Sequence, residues 1–134
     1  MFLLRKMGEI RKITISTGKI SIHGELTDTQ TADAIWNALP INADCNRWGG
    51  ELYFEIPIRA DLDKQAKDTV DRGDLGFWPT GNAFCIFFGP TPISTEEEIR
   101  PASAVNIVGR IVGDTNVLNK VSPGERIRIE KYRP

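Results

Sequence analysis

A small, mostly β domain, either a closed barrel or a sandwich, is predicted, with one main α-helix plugging an end and one short helix. Three observations predict it. Short runs of alternating apolar and polar residues recur along the chain, Gly/Pro punctuation separates them, and only one segment carries a capped helical period. At 134 residues the chain reads as one domain with one core. Residues 1–12 read as a flexible basic extension and residues 13–134 as the domain.

The elements follow in order. Ile13 and Ile15, then Ile20 and Ile22, flank Ser16-Thr17-Gly18-Lys19 as two strands and a tight turn, the second strand running to Leu26. In TDTQTADAIWNALP, Thr27, Asp28 and Thr29 are candidate N-caps. Ala32, Ile35, Trp36 and Leu39 share a helical face, Pro40 ends the element, and Trp36 is assigned to the core. A loop with Cys45 and Trp48 leads to ELYFEIPI, where Leu52, Phe54, Ile56 and Ile58 face one way and Glu51, Tyr53 and Glu55 the other. Residues 60–72 read as a solvated, charged connection with at most a helical turn or two. GDLGFWPTGNAFCIFFGPTP reads as a stiff Gly/Pro loop carrying Trp78, a strand Ala83–Phe88 and a second Gly/Pro exit. The run Glu96–Glu98 is a solvated surface. AVNIVGRIVGD is a further strand, TNVLNKV a short helix capped by Asp114 or Thr115, and RIRIEKY a closing strand after a Pro-Gly turn. The inventory is about six to eight strands.

Composition excludes several function classes. Hydrophobic residues make up 40% and charged residues 26%, with a net charge of −1, so no global field draws the chain to nucleic acid or anionic membrane. The charge is uneven: Arg5, Lys6, Arg11 and Lys12 stand against Glu9, and residues 120–134 hold five Lys/Arg against Glu125 and Glu130. These ends lack the aromatic or Arg platforms that nucleic acid would need. No apolar run approaches the roughly 20 residues of a membrane span, and Met1–Leu4 precedes the first charges, unlike a secretory signal. Met7 is an alternative start. Cytoplasmic localisation is expected.

Candidate chemistry is sparse. Cys45 and Cys85 form neither a disulfide framework nor a zinc pattern. The aspartates from Asp61 to Asp74 lack the Gly and closing Glu of an EF-hand, and GDLG and FGPTP match no phosphate-binding fingerprint. No cofactor or metal is implied. Glu51 and Glu55 lie ~13 Å apart along a strand, too far for a glycosidase pair at roughly 6.5–9.5 Å or less. Cys85 with His23 is a conceivable nucleophile and base, but CIFF is apolar and an inert buried thiol is the better reading. What remains is a groove of Trp48, Glu51, Tyr53, Glu55, Trp78, Asn82 and Phe87 on the outer face of the sheet, suited to a peptide or small ligand. A solvated strand face, with Trp78 as a lid over the barrel end, is the competing reading.

The order of elements resembles that of cyclophilins. TADAIWNALP resembles their first helix, and NIVGRIVGDTNVLNKV their late strand and helix. WGGELYFEIP, GDLGFWPTGNAFCIFFGPTP and PASAVNIVGR are more specifically similar to blocks of a small prokaryotic cyclophilin-like family without a settled activity. The resemblance covers roughly Ile13 to Tyr132 and implies an eight-stranded closed barrel. Prolyl isomerases of the cyclophilin type lower an amide rotation barrier of ~18–20 kcal/mol with an Arg that donates to the amide, helped by a Gln, an Asn, a Trp and a His. On the strand resembling theirs, Glu55 occupies the Arg position, and an ionised carboxylate can only accept. Asn82 and Ala83 stand where the Gln is expected. His23 is on the N-terminal hairpin, and Arg59 is the nearest Arg in sequence. The resemblance therefore implies a binding domain, with an atypical prolyl isomerase and a non-catalytic structural or interaction module as alternatives.

Overall fold

Strands form where the alternation is clearest, and their apolar faces meet inside a barrel. The computed structural model describes residues 10–95 and 98–134. Its strands are β1 (Arg11–Ser16), β2 (Ser21–Leu26), β3 (Ile41–Asp44), β4 (Asn46–Trp48), β5 (Glu51–Glu55), β6 (Asp74–Trp78), β7 (Ala83–Phe87), β8 (Asn106–Val112) and β9 (Arg126–Lys131). They form one antiparallel sheet in the order β3-β9-β1-β2-β8-β6-β7-β5-β4. The two ends of that order, β3 and β4, adjoin in sequence at Cys45, so the sheet curls into a nearly closed barrel. This is the predicted barrel of cyclophilin-like type, with nine strands among the described residues instead of the eight that the resemblance implies.

Among the described residues one α-helix forms, α1 (Gln30–Ala38), capped by Thr29, whose side chain accepts from the Ala32 amide at 3.1 Å. Ala32 and Ile35 join Ile13, Ile15, Leu52, Phe54, Phe77, Phe84, Ile86, Val108, Ile127 and Ile129 in the main core. The short helix is a 3₁₀ segment, Thr115–Lys120, capped by Asp114, and it adds Leu118 to that core.

Four details depart from the sequence reading. First, residues 41–48 were expected as a loop but form β3 and β4. Ile41 and Cys45 are buried and Ala43 half-buried, so the alternation is present but carried by small side chains. Second, Trp78 ends a strand instead of riding a loop. The turn is the 3₁₀ segment Pro79–Gly81, closed by Asn82 at φ 48°. Third, Trp36 is only half-buried, with Arg11 at 5.9 Å and Lys131 at 4.6 Å over its ring. Fourth, β1 begins at Arg11, two residues inside the expected extension. Arg11 is buried, donates to the Thr27 carbonyl at 2.6 Å and pairs with Asp33 at 2.8 Å. The rest of that extension up to Glu9, with Arg5, Lys6 and the alternative start Met7, lies outside the described residues, as do Glu96 and Glu97 of the acidic run. Among the described residues, no helix is long and apolar enough to cross a membrane.

Residues 60–72 contain no helical turn and are mostly exposed, yet they are tied down. Asn106, fully buried, accepts from the Asp63 amide and donates to the Asp61 carbonyl. Lys67 bridges to Val105 and Val70 to Ile99. This segment and the one following β7 together cover part of the outer face of β5, β7 and β6. A second apolar cluster forms there, of Val70, Ala83, Cys85, Phe87 and Val105, with Tyr53, Trp78, Ile99 and Ile107 packed against it.

Candidate functional site on the outer face of the barrel

Strand register sets the site. Along β5 the outward residues are Glu51, Tyr53 and Glu55; opposite them on β7 stand Phe87, Cys85 and Ala83. On β6, Gly76 faces Cys85 and Trp78 faces Ala83. Trp48 on β4 pairs with Glu51. Tyr53 and Trp78 are thus separated by two strand spacings and two residues, about 12 Å between Cα atoms for a flat sheet. The positions between them, Cys85, Ala83 and Gly76, are small. Small residues between two large rings leave open space above the sheet.

A cavity of about 150 Å³ occupies that space, lined by Trp48, Glu51, Tyr53, Trp78, Pro101 and Ala102. Each wall has a cause in the sequence. Gly50 brings the β4–β5 turn against Gly89, which directs the chain after β7 back over the sheet. Thr91 then donates to the Arg100 carbonyl, and the Val70 amide to the Ile99 carbonyl at 2.9 Å, so Pro101 and Ala102 are set as one wall. Trp78 is fixed at both ends: its indole N–H donates to Ser103 Oγ at 2.6 Å, and its six-membered ring lies over Gly81. A Cβ at Gly81 would come within 2.8 Å of Trp78 Cζ3, so glycine is required for that ring position.

Glu51 is the electrostatic peculiarity. Only 5% of it is exposed, and burial pushes its carboxyl up to about 7, opposed by a hydrogen bond from the Cys85 thiol. Among the described residues, Glu51 forms no ion pair. Cys85 is itself almost fully buried, and burial and the Glu51 charge raise its thiol well above the usual range. Its Sγ stands 3.8 Å from the Ala83 carbonyl oxygen.

Trp48, Glu51, Tyr53 and Trp78, four of the sequence-predicted residues, therefore line one cavity, and three do not. Phe87 is fully buried beneath the others, because the segments that cover β7 close over it. Glu55 is exposed at the far end of β5, beyond the covering segment. Asn82, at the left-handed position that closes the 3₁₀ turn, lines a separate cleft with Arg59, Ala60, Asp61 and Pro79. Glu51 and Glu55, both assigned to the groove from the sequence, share one face of β5 yet have opposite environments, the first buried and the second exposed. His23 lies on β2, separated from the Cys85 strand β7 by β8 and β6 in sheet order, with Nδ1 3.3 Å from Thr14 Oγ1; it is not a base for that thiol. Pro101 and Ala102 were not anticipated: PASAV has no local signal for a wall.

A larger polar cleft, about 610 Å³, lies beside the start of α1 and includes Asp28, Thr29, Arg59, Asp61 and Lys64. Most of these side chains are exposed. The smaller cavity combines aromatic walls and a buried titratable group, features that usually mark a binding site.

A family model described as cyclophilin-like matches residues 11–130. Among solved structures, the chain is similar to the solution structure of the hypothetical protein AF2241 from Archaeoglobus fulgidus. The two share 38% identity and a TM-score of 0.80, over 96% of this chain and 100% of that one. No curated protein matches.

Proposed function

The chain belongs to the cyclophilin-like family, and from that premise we propose that it is a cytoplasmic ligand-binding domain whose outer-face cavity takes a small molecule or one side chain of a peptide. The observation that carries this reading is the Glu51 carboxyl, buried beside Trp48, Tyr53 and Trp78 with no ion pair among the described residues. A buried carboxyl with no ion pair costs folding free energy, and a group so perturbed in a cleft is a functional candidate. At about 150 Å³ the cavity is below the roughly 300–1,000 Å³ of drug-sized pockets, so it suits a headgroup or side chain.

Prolyl isomerisation is the weaker reading. Glu55, at the position of the isomerase Arg, is exposed outside the cavity, and Asn82 lines another cleft. Two measurements on the full chain test the proposal. In ¹H–¹⁵N spectra with fragment-sized amines, acids and alcohols, at least one class should move the indole N–H signals of both Trp48 and Trp78. If none moves either signal, the binding reading fails. A protease-coupled assay with a short X-Pro peptide should stay at the uncatalysed rate; clear enhancement would favour the isomerase instead.

A further inference from the structure

We propose that the cavity bounded by Trp48, Tyr53 and Trp78 is a site for a methylated ammonium group, with Glu51 as its counter-ion. The inference rests on the binding reading above and names the chemistry of the ligand. Three of the six lining residues are aromatic, a fourth is a carboxyl, and Pro101 and Ala102 complete the wall. A cation is attracted to aromatic faces, and the attraction grows when the site is desolvated. Aromatic rings with one buried carboxylate favour positive charge and offer an anion nothing.

Among the described residues, the protein's own cations leave this place open. Arg11 and Lys131 stand over Trp36, Lys12 over Tyr132, and Arg47 over Phe88. Among the described residues, none stands over Trp48, Tyr53 or Trp78. The basic groups nearest in sequence are engaged elsewhere. Arg47 of β4 donates to the carbonyls of Gly49, Asn119 and Val121. Arg72, just before β6, donates to the Phe88 carbonyl. Arg100, on the covering segment, pairs with Glu98 at 2.8 Å.

The polar inventory selects among cations. A primary ammonium presents three donors that each need an acceptor. As acceptors the lining side chains offer the Glu51 carboxylate, already bonded by the Cys85 thiol, and the Tyr53 hydroxyl; the Trp78 N–H can only donate and is committed to Ser103. A methylated ammonium has fewer donors or none and lays its methyl groups against the rings. The cavity volume equals roughly five waters at ~30 Å³ each, the scale of such a head.

Titration supports the same assignment. The Glu51 carboxyl, raised to about 7, gives up its proton as a cation arrives, so binding should tighten as pH rises toward 8. The other titratable groups on neighbouring elements do not compete: the Cys85 thiol on β7 stays protonated, and Asp74 on β6 is raised by burial but does not line the cavity.

The test uses the full chain, with choline and its neutral isostere 3,3-dimethylbutan-1-ol as probes, read by the Trp48 and Trp78 indole signals. Choline should bind at least tenfold more tightly than the alcohol, and its affinity should rise several-fold from pH 6 to 8. Glu51→Gln should abolish the preference. Tyr53→Leu, at a half-buried position, should weaken choline about tenfold and decides the matter if the first variant does not fold. Equal binding of both probes, or tighter binding of the alcohol, overturns the cation assignment and leaves the binding reading standing. If neither probe binds, the cation assignment is overturned, and a silent fragment set would then remove the binding reading as well. A short trimethyllysine peptide separates two sources of the same head: a tenfold gain over choline indicates a peptide ligand, and parity indicates a free small molecule.

Discussion

Gly50 and Gly89 meet backbone against backbone, but their contact is asymmetric. A Cβ on Gly50 would lie 2.3 Å from the carbonyl carbon of Gly89, whereas a Cβ on Gly89 would stand 3.6 Å from Gly50 Cα. The Gly50 amide donates to the Pro90 carbonyl at 2.7 Å, and the amides of Phe88 and Gly89 donate back to the Gly50 carbonyl. Gly50→Ala must displace main chain and should cost about 1–3 kcal/mol or more, as overpacking does. Gly89→Ala meets ordinary contact distances and should cost less than about 1 kcal/mol. Chemical denaturation of both variants checks this. Equal losses would show that the close approach is not what excludes a side chain at Gly50.

Burial of Glu51 makes stability depend on pH in a definite direction. Its carboxyl is raised from 4.5 to about 7 in the folded state. Between those values the folded chain keeps a proton that the unfolded chain has released. Stability from this group is therefore complete below 4.5 and is lost as pH rises through about 7. At about 1.36 kcal/mol per pH unit the loss is at most about 3 kcal/mol. Glu51→Gln keeps the shape without the charge. Thermal melts should show the parent falling by several degrees more than the variant between pH 5 and 8.5. Parallel curves would place Glu51 in solvent.

Both thiols should be silent in the folded protein. Cys45 is buried, and burial with the nearby Glu125 charge raises its thiol to about 11; burial raises the Cys85 thiol as well. Reaction needs the thiolate and access, and neither cysteine has either. A thiol-reactive chromophore at pH 8 should label no cysteine in native buffer and both in denaturant. Rapid native labelling of Cys85 would revive it as a nucleophile and show that the covering segments do not bury it.

The parts of the fold that sequence made legible are those determined locally. Ile13/Ile15, Ile20/Ile22, Leu52/Phe54/Ile56 and Ile127/Ile129 alternate with large side chains, and Thr29 precedes a helical period. Each signal is read within a few residues. Ile41, Ala43 and Cys45 alternate too, but two of the three are small, so the strand that closes the barrel looked like a loop. The site was legible to the extent that one strand face determines it. Which residues point outward on β5 followed from period two. Which of them are buried did not, because the covering wall, Pro101 and Ala102, comes from a distant segment. Glu51 and Glu55 are equivalent in β5 and differ only in what lies above them. Tertiary covering, which no local pattern encodes, separates them.

Asn106 anchors the other covering segment, and its role can be isolated from the cavity. It is fully buried; its Oδ1 accepts from the Asp63 amide at 2.8 Å, and its Nδ2 donates to the Asp61 carbonyl at 2.9 Å and Thr31 Oγ1 at 3.1 Å. A backbone amide can only donate and a carbonyl only accept, so these partners fix the side-chain orientation. Asn106→Ala leaves three groups without their partner and should cost about 1–3 kcal/mol. Asn106→Asp is the sharper variant: it keeps the acceptor for Asp63, loses both donors and turns a carboxylate toward the Asp61 carbonyl. It should be the less stable of the two at pH 7 and recover part of the difference near pH 4, where the carboxyl can protonate and donate again. In both variants, hydrogen exchange at the Asp63 amide should accelerate while the Trp48 and Trp78 indole signals stay in place, because neither ring rests on residues 60–65. Movement of those indole signals would mean that the two covering segments are one coupled unit, joined through the Lys67–Val105 and Val70–Ile99 bridges.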